Sequence, residues 1–116
     1  KIAKIRKTVP KELSEKYEIT NSIPECIEFV KKGITKSKSL QFICEKCNIK
    51  NSEVIAIGDA NNDTEMINFV GIGVAMGKAE VSLKEKADDI TSSNNHDGVA
   101  KVIEKYILKN EKIDLI

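Results

Sequence analysis

The stretch VIAIGDANND, residues 54–63, guides the interpretation of the whole chain. Its first part, Val54–Ile57, is a continuous apolar run between polar residues, which is typical of a strand buried on both faces of a sheet. Gly58 then allows the backbone to turn sharply before a second apolar pattern begins. Because ligands bind at the carboxyl ends of the strands in open α/β sheets, we expect the carboxylate of Asp59 to face a site.

The polar residues that follow the strand suit a site for a divalent cation and a phosphoryl group. Asn62 and Asp63 stand at or near the start of the next predicted helix, where free N–H groups favour anions. A carboxylate for a hard cation such as Mg²⁺, with an amide donor for a phosphoryl oxygen, fits that chemistry. A purely structural interpretation is also open, because Gly-Asp at a strand end is common and Asn or Asp often only caps the next helix.

From Gly33 onward the sequence alternates between helical and extended patterns. Leu40, Ile43, Cys44 and Cys47 recur at the spacing of one helix face and predict a helix over about 37–48. The later predicted elements are helix 63–69, strand 71–75, helix 81–87 and strand 90–91. A last helix is predicted to be capped by Asp97, and its shared face consists of Val99, Val102, Ile103, Tyr106 and Ile107. This alternation predicts an α/β fold with parallel strands and right-handed crossovers.

Residues 1–32 have a different pattern, with a boundary near Lys32-Gly33. Their predicted extended segments are Ile2–Ile5, Tyr17–Ile23 and Glu25–Val30, and Pro10 marks a helix start between the first two. So few strands are not expected to bury a core by themselves. They suggest the edge of a small α/β unit.

Composition excludes several classes of function. With 19 Lys and Arg against 18 Asp and Glu, the net charge of +1 gives no electrostatic reason to expect nucleic acid or an anionic membrane as a partner. No apolar run approaches the roughly 20 residues of a membrane helix. The chain begins at Lys1 and shows no signal segment, so we expect a cytoplasmic protein whose natural start lies upstream.

The three cysteines form no disulfide framework, because their number is odd. Cys44 and Cys47 have a spacing used in redox and zinc sites, but they lie within a helical pattern with only the distant His96 as a further ligand. We therefore interpret them as two half-buried thiols on one helix.

Several linked motifs resemble one enzyme family. Gly58-Asp59-x-x-Asn62-Asp63-x-x-Met66, followed by GIGVAMG at 71–77, is similar to the fourth motif of haloacid dehalogenase (HAD) phosphatases. Further similarity, to the Cof-type sugar-phosphate phosphatases, lies in ADDIT at 87–91, DGVA at 97–100 and KGITK at 32–36. The resemblance covers about residues 33–108. It implies a Rossmann-like three-layer core that acts with Mg²⁺ on small phosphorylated metabolites.

The resemblance also implies roles for individual residues. Asp59 would be a magnesium ligand, and Asp63 would support the metal directly or through a hydrogen bond in its second shell. Asn62 would contact the substrate phosphate. Lys36 would bind the phosphate and the nucleophile carboxylate, which neutralises charge in the transition state. Ser37 stands where the family usually has Gly, which weakens the match slightly without removing the charge of Lys36.

In the family, an Asp-x-Asp motif on the first core strand carries the nucleophile and the acid–base residue. This sequence contains no Asp-x-Asp. We therefore expect residues 1–32 to be the end of a cap domain and residues 33–116 to be the C-terminal half of the core. We expect this chain alone to hydrolyse nothing at a useful rate, and its unpaired strand edge to favour self-association.

Two other interpretations remain open at this stage. A P-type ATPase phosphorylation domain shares a similar Gly-Asp-x-x-Asn-Asp loop, although nothing after Leu108 resembles a membrane helix. A non-enzymatic binding or regulatory module could keep the loop after losing its nucleophile. The presence of Lys36, Asp59, Asn62 and Asp63 together argues against that second alternative.

Overall fold

Two separate sheets organise the computed structural model, which describes residues 1–21 and 23–108. The strands are β1 (Tyr17–Thr20), β2 (Glu28–Lys31), β3 (Ile55–Gly58), β4 (Ile72–Ala75) and β5 (Asp89–Ile90). The α-helices are α1 (Ile2–Lys7), α2 (Lys11–Lys16), α3 (Lys36–Cys47), α4 (Thr64–Phe69), α5 (Val81–Lys86) and α6 (Gly98–Ile103). Short 3₁₀ turns cover Asn51–Glu53, Asn61–Asp63 and Asn94–His96, and a π-helical turn covers Glu104–Leu108.

The larger sheet has the order β3-β4-β5 and is parallel throughout. Ile55 lies opposite Ile72 and Gly58 lies opposite Ala75, so the carboxyl ends of β3 and β4 are level. Helix α4 connects β3 to β4, and α5 connects β4 to β5. The predicted α/β class with parallel pairing is therefore confirmed.

The core lies where this sheet meets its connecting helices. Ile67 of α4, Leu83 of α5 and Val74 of β4 are its largest fully buried side chains. Gly73 lets α4 pack directly on the sheet, because a Cβ atom at this position would lie 2.4 Å from the Cγ2 atom of Ile67. The loop after β3 lies near the start of α5, since the amide of Glu80 donates a hydrogen bond to the carbonyl oxygen of Asp59.

The first predicted strand is wrong, because Ile2–Ile5 belongs to helix α1. Its sequence, IAKIRK, is rich in residues with good helix propensity, and the described sheets offer it no partner strand. The helix predicted to begin at Pro10 is confirmed as α2. Strands β1 and β2 pair in antiparallel fashion, but both are shorter than predicted because a turn occupies the region around Pro24.

Helix α3 confirms the predicted helix, and Thr35 caps it by accepting a hydrogen bond from the Lys38 amide at 3.1 Å. Its apolar face is buried less completely than predicted. Cys44 is buried, whereas Ile43 is 52% exposed and Cys47 is exposed. The interpretation of Cys44 and Cys47 as two half-buried thiols is corrected accordingly, since helix packing covers only one of them. All three cysteines are free thiols.

The last helix begins where it was predicted, but without the expected cap. Asp97 occupies the N-cap position of α6 with φ of 57°, and its side chain makes no capping hydrogen bond. After Ile103 the backbone continues as a π-helical turn through Leu108. The lysine-containing tail after Leu108 lies outside the described residues. Among the residues that are described, no helix is both long enough and apolar enough to cross a membrane.

Candidate active site

The predicted site residues lie on two neighbouring elements. Asp59 directly follows β3, and Asn62 and Asp63 belong to the 3₁₀ turn after it. Lys36 is the first residue of α3. Its Nζ atom donates a hydrogen bond of 2.6 Å to the Oδ1 atom of Asp63, which is 27 positions further along the chain. The fold therefore brings Lys36 and Asp63 together at the carboxyl end of the buried strand.

Asp63 is the buried anchor of this loop, with only 2% of its surface exposed. Its Oδ1 atom accepts the hydrogen bond from Lys36, and its Oδ2 atom accepts from the amides of Asp59 at 3.1 Å and Ala60 at 3.3 Å. Burial raises the pKa of Asp63, but the hydrogen bonds from Lys36 and the two amides outweigh this effect and leave the pKa below its ordinary value. The carboxylate is therefore ionised and fixes the shape of the loop.

Gly58 makes room for that buried carboxylate. A Cβ atom at position 58 would lie only 2.6 Å from the Cβ atom of Asp63 and 3.0 Å from its Cγ atom. No side chain other than hydrogen fits there without displacing Asp63. The glycine before Asp59 is thus explained by close packing; the expected sharp turn does not require it, because Gly58 lies within β3 and its φ is not positive.

Asp59 is held by its backbone while its side chain stays exposed. Its amide donates to Asp63, and its carbonyl oxygen accepts a hydrogen bond of 3.2 Å from the amide of Glu80. In the part of the chain that the structure describes, its carboxylate has no hydrogen bond or ion pair. A fixed backbone with a free carboxylate at a strand tip is suited to binding a cation.

Ser82 belongs to the same loop assembly and was missed by the sequence analysis. Its hydroxyl donates to Oδ1 of Asn61, which joins the first turn of α5 to the 3₁₀ turn after β3. The two residues are 21 positions apart, and no local motif connects them. Only the packing of α5 beside the loop reveals the contact.

A cavity of about 400 Å³ opens between the two-stranded sheet and the loop after β3. On the core side it is lined by Lys36, Asn62 and Glu65, and on the sheet side by Glu18 and other residues of β1 and β2. A second cavity, of about 410 Å³, shares Asn62 but contains Arg6 in place of Lys36. The site loop therefore borders two spaces large enough for a small molecule.

The described residues offer part of the donor set that a magnesium ion would need. Within residues 1–21 and 23–108, no group of three or more His, Cys, Asp or Glu side chains could hold a metal ion. Magnesium commonly uses one or two protein carboxylates and takes its other oxygens from water and phosphate. Asp59 can supply one such oxygen, whereas both oxygens of Asp63 already accept hydrogen bonds.

Comparison with known proteins identifies relatives of this site and fold. A family model described as haloacid dehalogenase-like hydrolase matches residues 1–103. A Bacillus subtilis protein named 5-amino-6-(5-phospho-D-ribitylamino)uracil phosphatase YcsE is 45% identical over 106 residues, which are 90% of this chain and 43% of that protein. The chain therefore spans less than half the length of this curated relative.

Solved structures give the same result. A haloacid dehalogenase-like hydrolase from Bacteroides thetaiotaomicron superimposes with a TM-score of 0.81 at 41% identity, over 90% of this chain and 39% of that one. The subclass IIB sugar phosphatase BT4131 superimposes with a TM-score of 0.70 at 34% identity, over 79% of this chain and 35% of that one. The architecture seen here is thus present within larger proteins of known structure.

Proposed function

We propose that this chain, which belongs to the haloacid dehalogenase-like hydrolase family, forms part of a magnesium-dependent phosphatase acting on small phosphorylated metabolites. The observation that carries the proposal is the Lys36–Asp63 ion pair at the end of β3, in which Asp63 also accepts a hydrogen bond from the amide of Asp59, a residue with an exposed side chain. An exposed carboxylate and a positioned ammonium group are therefore linked to the same buried residue, Asp63. Both are suited to the charge that a phosphoryl group carries.

The residues divide the work in a way that follows from their contacts. Asp59 binds the magnesium ion, since its carboxylate is exposed and its backbone is fixed. Lys36 and Asn62 bind the phosphate. Asp63 positions Lys36 and the loop through the hydrogen bonds that its carboxylate accepts. Because both of its oxygens accept such bonds, Asp63 supports the metal site indirectly and is not a direct ligand. When bound, the magnesium ion supplies charge neutralisation for the phosphoryl oxygens.

The nucleophile is an aspartate outside these 116 residues, which contain no Asp-x-Asp motif. Phosphoryl transfer from the ester to that aspartate would release the alcohol, which takes up a proton, and give an aspartyl-phosphate, which water then hydrolyses to inorganic phosphate and the free aspartate. Residues 1–32 are the end of a cap domain, and residues 33–116 are the C-terminal half of the core. The chain alone therefore binds magnesium and phosphate but does not turn over an ester. We place the protein in the Cof-type branch and in the cytoplasm.

Sugar phosphates are the proposed substrate class. Support comes from the names of the relatives, which include a 5-amino-6-(5-phospho-D-ribitylamino)uracil phosphatase and a sugar phosphatase. These names also favour a phosphatase over a P-type ATPase domain. A non-enzymatic module is disfavoured, because such a module would have no use for Lys36, Asp59, Asn62 and Asp63 together.

Amide NMR of the 116-residue chain tests the proposal. We expect millimolar magnesium with inorganic phosphate to shift the resonances of Asp59, Asn62 and the Lys36 region. Asp59→Asn should abolish the magnesium-dependent shifts, and Asp97→Asn, a matched change on the exposed start of α6, should leave them intact. Resonances that ignore tens of millimolar of both ions would contradict the proposal. Turnover of a phosphate ester by the chain alone would contradict the placement of the nucleophile.

A further inference from the structure

Ser82, in the first turn of α5, connects that helix to the 3₁₀ turn that follows β3. Its hydroxyl donates a hydrogen bond to Oδ1 of Asn61, the residue before Asn62. Both asparagines are exposed, and both line the cavity that also contains Lys36. A fixed Asn61 side chain therefore restrains the part of the turn that carries the proposed phosphate contact.

Other contacts hold the two ends of this loop and leave its middle to Ser82. At the first end, the amide of Asp59 donates to the Asp63 carboxylate, and its carbonyl oxygen accepts a hydrogen bond of 3.2 Å from the N-cap residue of α5. At the second end, Asp63 is itself buried. Between the ends, within residues 1–21 and 23–108, the Asn61 side chain is hydrogen-bonded only to Ser82, and the Asn62 side chain has no hydrogen bond.

Helix α5 gives that contact a fixed support. Leu83, the residue after Ser82, is 0% exposed and belongs to the core cluster that includes Ile67 of α4. The Nζ atom of Lys84 donates a hydrogen bond of 2.6 Å to the carbonyl oxygen of Gly77, which ties the helix to the loop before it. Because its two following neighbours are held in this way, the Ser82 hydroxyl has a defined place beside the turn.

Resting on the proposed function, we infer that Ser82 is a positioning residue for phosphate binding, which acts through Asn61 on Asn62. A mobile turn loses more conformational entropy on binding a ligand than a turn that is already fixed, and the Ser82 hydrogen bond reduces that loss. The magnesium site depends on it less, because Asp63 and the N-cap residue of α5 hold the backbone of Asp59 independently. Loss of the Ser82 hydroxyl should therefore weaken phosphate binding selectively.

NMR titration of the 116-residue chain measures the two ligands separately, with magnesium alone first and inorganic phosphate then added at saturating magnesium. We expect Ser82→Ala to raise the phosphate Kd about three- to tenfold, as the loss of one hydrogen bond would produce. The magnesium Kd should stay within about twofold of the parent, because the contacts of Asp59 are unchanged. Ser82→Thr keeps the hydroxyl and should restore the phosphate Kd. Ser52→Ala, at another exposed serine near the opposite end of β3, should change neither Kd.

Asn61→Ala tests whether the effect passes through the Asn61 side chain. This variant should raise the phosphate Kd at least as much as Ser82→Ala does. Ser82→Ala added to Asn61→Ala should then cause no further increase, because the partner of the hydroxyl is already absent. A further increase in the double variant would overturn the inference.

Failure of the inference can be told apart from failure of the proposed function. If phosphate at saturating magnesium leaves the Lys36 and Asn62 resonances of the parent chain unshifted, the proposed function fails and the inference fails with it. If the parent binds phosphate and Ser82→Ala binds it equally well, the site is upheld and the inference is overturned. Equal losses of magnesium and phosphate affinity in Ser82→Ala would also overturn it, because they would indicate a general structural role for Ser82.

Discussion

Lys36, the first residue of α3, donates a 2.6 Å hydrogen bond to the buried carboxylate of Asp63, the last residue of the 3₁₀ turn after β3. The contact joins the helix that follows the two-stranded sheet to the loop of the parallel sheet. The lysine side chain is 57% exposed, whereas that of the aspartate is 3% exposed. The ion pair is therefore partly open to solvent, with its anion inside the protein and its cation at the edge of the cavity.

Asp63→Asn should destabilise the chain by about 1–3 kcal/mol, because Asn keeps only one acceptor oxygen for three donors and removes the charge that holds Lys36. Chemical denaturation with a fluorescence or circular dichroism readout would measure the loss. The pKa of Asp63 is lowered in the folded chain, so its ionised carboxylate contributes to the stability of the fold. This stabilisation is complete above the ordinary pKa of 3.8 and is lost as the pH falls through the lower folded-state pKa.

Asp59→Asn is the matched control for that change. It removes the same charge from the same loop, but the Asp59 side chain is exposed and has no hydrogen bond within the described residues. Its free energy of unfolding should stay within roughly 0.5 kcal/mol of the parent. Equal losses for the two variants would contradict the view that Asp63 holds the loop while Asp59 faces a ligand.

Gly58→Ala should lower the free energy of unfolding by about 1–3 kcal/mol, because the added methyl group would overlap the Cβ atom of Asp63. The displaced carboxylate would also weaken the hydrogen bond from Lys36. Denaturation would measure the stability, and the amide shifts of Asp59 and Ala60 would report the loop. A comparison is Gly33→Ala, where φ is +82° and an added Cβ atom would lie 3.7 Å from the Nζ atom of Lys38. That variant should cost backbone strain without moving the loop, and unchanged loop shifts in Gly58→Ala would refute the packing argument.

The sequence predicted the parallel sheet and its connecting helices well, for physical reasons. Buried parallel strands require continuous apolar runs such as Val54–Ile57, and few other structures accommodate such a run. The observed strand, Ile55–Gly58, is displaced from the prediction by a single residue. The N-terminal segment was predicted less well, because short segments such as Ile2–Ile5 fit both a strand and a helix until their partners are known.

The site was predictable in its residues but not in its contacts. The motif after β3 pointed to Asp59, Asn62 and Asp63, and their roles remain proposals. Long-range contacts, such as Lys36 to Asp63 and Ser82 to Asn61, depend on how α3 and α5 pack around the loop. A sequence pattern cannot show that both oxygens of Asp63 are occupied, because two of its three donors are backbone amides.

Leu83→Ala should destabilise the chain by about 2–5 kcal/mol, because Leu83 is 0% exposed in the core between α5 and the sheet. Val81→Ala provides a control on the same helix, since Val81 is 69% exposed and should change stability by less than about 0.5 kcal/mol. Thermal or urea unfolding of the three proteins would measure both effects. Similar costs at the two positions would show that α5 is not packed as described.

Self-association through the edge of β3 remains a prediction. Among the described strands, β3 pairs only with β4, so the other edge of this apolar strand is open to a further strand. Analytical ultracentrifugation should show an average mass that rises with concentration. Ile55→Lys, which places a charge on the edge strand, should reduce the rise. The mass of a single chain at every concentration would contradict the prediction.

Asp89 joins the end of the sheet to the final helical turn and should make stability depend on acid pH. Its Oδ2 atom accepts hydrogen bonds from Nζ of Lys105 at 2.7 Å and from the hydroxyl of Tyr106 at 2.6 Å. These hydrogen bonds, chiefly the one from Lys105 and then the one from Tyr106, lower the pKa of Asp89 from its ordinary 3.8 to about 2. The lowered pKa means that the ionised carboxylate stabilises the folded chain, and that this stabilisation is lost as the pH falls from about 4 to about 2.

Asp89→Asn should therefore cost about 1 kcal/mol near neutral pH, a figure reduced for the solvent exposure of the Lys105 pair. The difference from the parent should shrink as the pH approaches about 2, where the parent carboxyl also becomes protonated. Urea unfolding of both proteins across the acid range would measure it. Asp97→Asn serves as the control, because it is an equal charge change at a side chain that makes no capping hydrogen bond. If Asp89→Asn lowered the free energy of unfolding equally from neutral to acid pH, the contacts of Asp89 with Lys105 and Tyr106 would not depend on the charge of Asp89.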